Sequence, residues 1–192
     1  MLVITGIGHA TPVQWSTAIG GNGNYYEIIQ TSGGISWDTA NTLANASYYL
    51  GIQGHLTTIT SSEENLFISN DPGLGNGISK GIIESKWLGG YQLPGSTEPD
   101  GGWQWVTGEA FAYANWASGE PNDSPVGENR ITFQHGWNSD GKEWNDLTDS
   151  WFQGGYVIEY EASSVPIPEP ATMLLLGSGL IGLTGFRRKF KK

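Results

Sequence analysis

The stretch from Glu120 to Asp146 constrains this chain more than any other. It is crowded with Gly, Pro, Asn and Asp, which interrupt helices and strands, so the fold has to accommodate a long irregular segment there. Within those 27 residues stand Glu120-Pro121-Asn122, Gly127-Glu128 and Trp144-Asn145-Asp146. Hard cations such as calcium take about six to eight oxygen ligands, from carboxylates, amide carbonyls and backbone carbonyls, at flexible geometry. The side chains of Glu120, Asn122, Glu128, Asn145 and Asp146 can supply most of such a shell. No soft ligand competes, because the chain has no cysteine and its three histidines lie outside these clusters.

Composition narrows the rest. With 192 residues, one domain with short appendages is expected. The 29 glycines and 9 tryptophans point to a loop-rich body organised around large rings, each burying about 150–250 Å². The net charge of -10 is uneven. Five of nine basic residues lie at Arg187, Arg188, Lys189, Lys191 and Lys192, and without them four basic residues face nineteen acidic ones, a charge of -15. A body so acidic repels phosphate backbones, which excludes nucleic acid as a partner.

Glu-Pro-Asn, a second Glu eight positions after the first, and Trp-Asn-Asp together resemble the calcium and sugar site of C-type lectins. Other motifs follow in the family's order: Gly54-His55-Leu56 with Glu64, Trp87-Leu88-Gly89-Gly90, Trp105 to Glu109, Asn115-Trp116, and Tyr156 to Tyr160. The resemblance covers roughly Tyr25 to Glu161. It implies an α+β C-type lectin-like fold of two helices and two small antiparallel sheets with a long calcium-binding loop region, its last strand paired with its first. The usual disulfides are lacking, so packing and hydrogen bonds have to hold the loops. It further implies one calcium ion on Glu120, Asn122, Glu128, Asn145 and Asp146, with Glu120-Pro121 cis. A sugar diol would bind through Glu120, Asn122, Glu128 and Asn145, and Glu-Pro-Asn in the family goes with mannose, glucose or N-acetylglucosamine. Asp123 matches a ligand of a second calcium in some members, with Glu98 and Asp100 as partners to consider. Many such domains bind proteins instead, so a calcium-ordered protein-interaction domain and a structural matrix component stay open as alternatives.

The tail is the second strong signal. Residues 162–170 form a linker ending in Pro168-Glu169-Pro170, residues 171–186 are apolar, and 187–192 are basic. That order resembles the PEP-CTERM sorting tails of Gram-negative bacteria, recognised by the membrane protease-transpeptidase exosortase. The resemblance implies an exported protein that passes through an inner-membrane stage and ends outside the cell or on its surface, with exopolysaccharide as a plausible ligand. A plain C-terminal anchor is the alternative. Residues 1–10 read as the remnant of a signal peptide without its basic region, or else as a strand-forming leader. Residues 11–24 read as leader and 25–161 as the domain.

Local patterns give the elements. Tyr25 to Ile29 alternates as a strand. Ser36 to Leu50 is predicted helical, with Trp37, Ala40, Leu43 or Ala44, and Ser47 on one face. Ser61-x-x-Glu64 is a capping box opening a second helix through Ile68, which accounts for Glu63 and Glu64 without catalysis. His55 is expected beside that helix. Trp103, Trp105, Trp116 and Trp144 are expected in the core, and Trp137 and Trp151 are the better candidates for exposed stacking. No catalytic constellation emerges, and the chain reads as a binding protein, not an enzyme.

Overall fold

The computed structural model describes residues 7–9, 11–70, 85–124, 127–133 and 142–162. The expectations for Trp137, for Pro168-Glu169-Pro170 and for the apolar and basic tail lie outside them. The described strands and helices are, in chain order, β1 Ile7–His9, β2 Val13–Gln14, β3 Tyr25–Ile35, α1 Trp37–Ala46, β4 Tyr48–Tyr49, β5 Ile52–Leu56, α2 Ser62–Asn70, β6 Trp87–Gln92, β7 Trp103–Trp105, β8 Arg130–Phe133, β9 Trp144–Leu147 and β10 Gln153–Tyr160.

β10 is buried along its whole length and divides two cores. Tyr156, Ile158 and Tyr160 face a cluster with Trp37, Ala40, Ala44, Leu56 and Trp87. Val157 faces a second cluster with Tyr26, Leu88, Trp105, Phe133 and Trp144. Such two-sided burial is the mark of a central strand. β10 pairs antiparallel with β3, Tyr160 opposite Tyr25 and Tyr156 opposite Ile29, so the last strand lies beside the first as expected. Upstream of Tyr25, β1 and β2 also pair with β3, and Trp15 stacks on Phe67 at 5.6 Å between centroids.

The two antiparallel sheets are joined. A parallel contact, Tyr156 with Trp87, links β10 to β6, and the order β1-β3-β10-β6-β8-β9 makes one mixed sheet. β6 also pairs antiparallel with β7 and β8. Gly90 is required there, because a Cβ would meet Ile131 Cδ1 at 2.2 Å. β8 and β9 pair Arg130 with Leu147 and Phe133 with Trp144, placing two short strands inside the stretch expected to be wholly irregular.

The two expected helices form, with different ends. Ser36 Oγ accepts the Thr39 amide at the start of α1, and Trp37, Ala40 and Ala44 are buried on one face. α1 stops at Ala46, short of Leu50, because Leu50 (φ 51°) and Gly51 (φ 82°) form the tight turn of a β4–β5 hairpin. Two consecutive positive φ values suit the twist of such a hairpin. His55 lies in β5, where its Nε2 sits 3.3 Å from Glu161 Oε1.

Only half of the capping box at α2 is made: the Glu64 amide donates to Ser61 Oγ at 3.2 Å. The Glu64 carboxylate is 2% exposed and turns inward. Its Oε2 accepts the Thr60 amide at 2.8 Å, and its Oε1 accepts Tyr26 Oη at 2.6 Å. Tyr26 Oη lies 3.2 Å from Glu159 Oε1, and Glu159 Oε2 accepts the Thr58 amide at 3.0 Å. This polar cluster, which capping alone does not explain, ties β3, β10, the strand-to-helix segment and α2 together where a secreted domain often uses disulfides.

Burial, and then the neighbouring Glu64 carboxylate, push Glu159 up to about 8. The folded chain therefore keeps a proton that the unfolded chain releases near 4.5, and this stabilisation, complete below that value, is lost as pH rises through about 8. In chelator, the free energy of unfolding from urea titrations is expected to fall across that range. Glu159→Gln should flatten the slope; a variant that keeps the parent's slope would remove Glu159 as its source.

Candidate cation and ligand site

Trp144 places the site. Its ring lies among Trp105, Tyr113 and Trp116, with centroids 5.6, 5.6 and 5.9 Å away, and Nε1 donates to Asn65 Oδ1 of α2 at 2.8 Å. Its amide donates to Asn115 O at 2.8 Å and its carbonyl accepts the Ala117 amide at 2.9 Å, so the segment before Glu120 is strapped to β9. Trp103, Trp105 and Trp144 are buried and Trp116 is half-buried, as core tryptophans should be. Trp151 is 50% exposed, beside the exposed Phe152.

The next residues on β9 are Asn145 and Asp146. Asp146 is fully buried and is the hub of the loop. Its Oδ1 accepts the Asn122 amide at 3.0 Å and its Oδ2 accepts the Asp123 amide at 2.9 Å. These contacts need the chain to turn sharply after Gly119 (φ 94°), and it does so through a cis Glu120-Pro121 bond, as the resemblance implied, with Asp123 left-handed at φ 48°. Asn122 Nδ2 donates to Glu120 Oε2. Asp123 Oδ1 accepts the Glu128 amide at 3.0 Å and also the Gly127 amide, while Glu128 Oε2 accepts the Ser124 amide at 3.1 Å. Glu120, Asn122, Glu128, Asn145 and Asp146 are thus gathered by one loop and one strand. Asp123 serves as a brace within that loop, a role its sequence did not announce. Glu98 and Asp100 stand exposed on another loop, which has its own cis bond at Glu98-Pro99.

The donor set fits a hard cation. Asn145 Oδ1 is buried with no hydrogen-bond partner among the described residues, an arrangement that costs free energy unless something pairs with it. Burial and then the Asp146 carboxylate push both Glu120 and Glu128 up to about 7. Glu128 is only 2% exposed, so its charge has little water to stabilise it. A cation would relieve both problems. Among the described residues no three His, Cys, Asp or Glu side chains are grouped so as to hold a metal ion.

Comparison with known proteins agrees with this architecture. Residues 166–189 match the model of the PEP-CTERM protein-sorting motif. The chain is 31% identical over 154 residues to halomucin of Haloquadratum walsbyi, covering 72% of this chain and 1% of that protein. It is 30% identical over 142 residues to C-type lectin domain family 4 member G of Mus musculus, covering 73% of this chain and 40% of the relative. The chain therefore spans less than two thirds of either relative. Its structure is similar to the C-type carbohydrate-recognition domain of cow CD23, solved in the presence of a GlcNAc2Man3 oligosaccharide, with a TM-score of 0.55, 24% identity, and coverage of 72% of this chain and 88% of that one. The chain has a C-type lectin-like fold and carries a PEP-CTERM sorting motif. That motif implies export by way of the membrane.

Within this lectin-like domain, Asp146 should control the order of the loop. In metal-free buffer, Asp146→Ala should lower the hydrogen-exchange protection of the Asn122 and Asp123 amides by about tenfold or more, while leaving Tyr156 to Tyr160 protected. Unchanged protection at the two amides would show that other contacts hold the turn.

Proposed function

We propose that the domain binds carbohydrate in a calcium-dependent manner, as an exported component of a bacterial surface or extracellular matrix. The observation that carries this reading is that Asn145 Oδ1 is buried without a hydrogen-bond partner among the described residues, one position before Asp146, whose carboxylate acts on both Glu120 and Glu128. Glu120, Asn122, Glu128, Asn145 and Asp146 would hold the ion. When bound, calcium supplies coordination positions that a pair of sugar hydroxyls can complete, since its shell takes about six to eight oxygens.

The chain's own groups would then orient the sugar. Glu120 with Asn122, and Glu128 with Asn145, each offer a carboxylate to accept a hydroxyl proton and an amide to donate to the hydroxyl oxygen. Charge-assisted bonds of this type are the stronger kind. Asp146 holds the Asn122 and Asp123 amides, so the first pair is positioned before any ligand arrives. The Glu-then-Asn order favours mannose, glucose or N-acetylglucosamine over galactose, and the role is one of binding without catalysis. Exosortase is the processing partner that the sorting motif implies. The producing cell's exopolysaccharide is the ligand we favour, reached after export to the cell surface or beyond.

Calorimetry should show calcium binding that strengthens as pH rises through about 7, because Glu120 and Glu128 have to lose their protons to bind a cation. Asn145→Ala should weaken it by about tenfold, the scale of one lost charge-assisted contact. Affinity that is independent of both pH and Asn145 would place calcium elsewhere.

On a glycan array, capture of mannose-type sugars should vanish in chelator. Glu120→Gln with Asn122→Asp should move the preference toward galactose while calcium binding persists. A well-folded protein that binds calcium and captures no glycan would turn the reading toward a protein ligand.

A further inference from the structure

A cavity of about 620 Å³ opens between α1, β5 and the loop after β6, within the roughly 300–1,000 Å³ typical of small-ligand sites. None of Glu120, Asn122, Glu128, Asn145 or Asp146 lines it, and no Asp or Glu does. Its walls combine three features. The first is a ladder of amides: Asn45 Nδ2 donates to Asn41 O at 2.8 Å and to Asn41 Oδ1 at 3.0 Å, and Gln53 Nε2 donates to Asn45 O at 2.7 Å. Asn41 is half-buried and Asn45 and Gln53 are exposed, so this ladder forms the outer wall of the cleft.

The second feature is an aromatic corner. The rings of Trp37 and Tyr91 lie 6.1 Å apart at 48°, with the apolar Leu93, Pro94 and Val106 also lining the space. The third is balanced charge. The Arg130 guanidinium stacks 4.5 Å from the Trp37 ring centroid, and its Nη2 lies 3.8 Å from Asp38 and 4.0 Å from Asp149. His55 is matched by Glu161 at 3.3 Å. Two further atoms of lining residues, Gln92 Oε1 and Arg130 Nε, are buried without a partner among the described residues, one an acceptor and the other a donor.

We infer that this cleft is a second saccharide site, one that takes a neutral sugar without calcium. Amides pair with hydroxyls in both directions, and an aromatic corner suits the C–H face of a pyranose ring. Anionic ligands are disfavoured, because the one guanidinium in the lining already faces two carboxylates. A metal-bridged ligand is disfavoured because no acid lines the cleft. The inference stands on the cleft alone and does not require the calcium reading.

The test uses the full chain, immobilised, with soluble neutral gluco-, manno- and galacto-oligosaccharides and a uronic acid oligomer as probes, all in chelator. The expected result is capture of at least one neutral series, weakened about tenfold by Asn41→Ala with Gln53→Ala, the scale of two lost neutral hydrogen bonds. Asn41→Asp alone, which preserves shape and removes the Asn41 donor, should also weaken it and guards against a misfolded alanine variant. No capture of any neutral series in chelator would overturn the proposal. So would capture that survives both variants, or a preference for the uronic acid oligomer. Because calcium is absent throughout, failure here leaves the calcium-dependent reading untouched, and success does not depend on it.

Discussion

A chain without cysteine has to hold a long irregular segment by packing and hydrogen bonds, and here that task falls largely on Trp144. Its ring is gripped by Trp105, Tyr113 and Trp116, and its indole nitrogen, amide and carbonyl are all engaged. Buried aromatic pairs of this kind contribute about 0.5–1.5 kcal/mol each beyond the area they remove from water. The consequence is local as well as global. Because Trp144 immediately precedes Asn145 and Asp146, the ring that closes the core also fixes the two residues at the centre of the site.

Buried acids then organise the molecule at two places, by opposite means. Around Asp146 they gather with amides, and Asn145 Oδ1 has no partner among the described residues, an arrangement that suits the cation proposed above. Around Glu159 the carboxylates are met by Tyr26, Asn24 and the amides of Thr58 and Thr60, an arrangement that asks for a proton. Both follow from the same rule that a buried charge has to be paired or neutralised. The strongly acidic composition is therefore not only a surface property.

Much of this was legible in the residues. The placing of Glu120, Asn122 and Glu128 on one loop with Asn145 and Asp146 on the adjoining strand, the tryptophans of the core and the alternate facing of Tyr156, Ile158 and Tyr160 follow from spacing and from family resemblance, and so does the pairing of the first and last strands. Other features were hidden because they depend on contacts distant in the chain. Helical periodicity runs on to Ser47, but the Leu50-Gly51 turn ends α1 early and sends Tyr48 and Tyr49 into a hairpin. Glu64 satisfies a local capping pattern, yet its carboxylate answers to Tyr26, 38 residues away. β8 and β9 were obscured by the Gly, Pro and Asn around them, since their ladder is set by pairing and not by propensity. The cleft beside Trp37 draws on five separate segments, and no motif could have announced it.

The course of β10 has a mechanical consequence. Its C-terminal end leads within two residues to Ala162, whose amide donates to Asn24 Oδ1 at 3.1 Å beside the start of β3. The sorting motif lies just downstream. A chain held by that end and pulled along the strand axis would load β10 in shear against β3 and β5, its antiparallel neighbours. Several ladder bonds would then have to break together, instead of parting one at a time as they do when a hairpin is peeled from its tip. The strand at the middle of the fold thus also suits the domain to bearing tension.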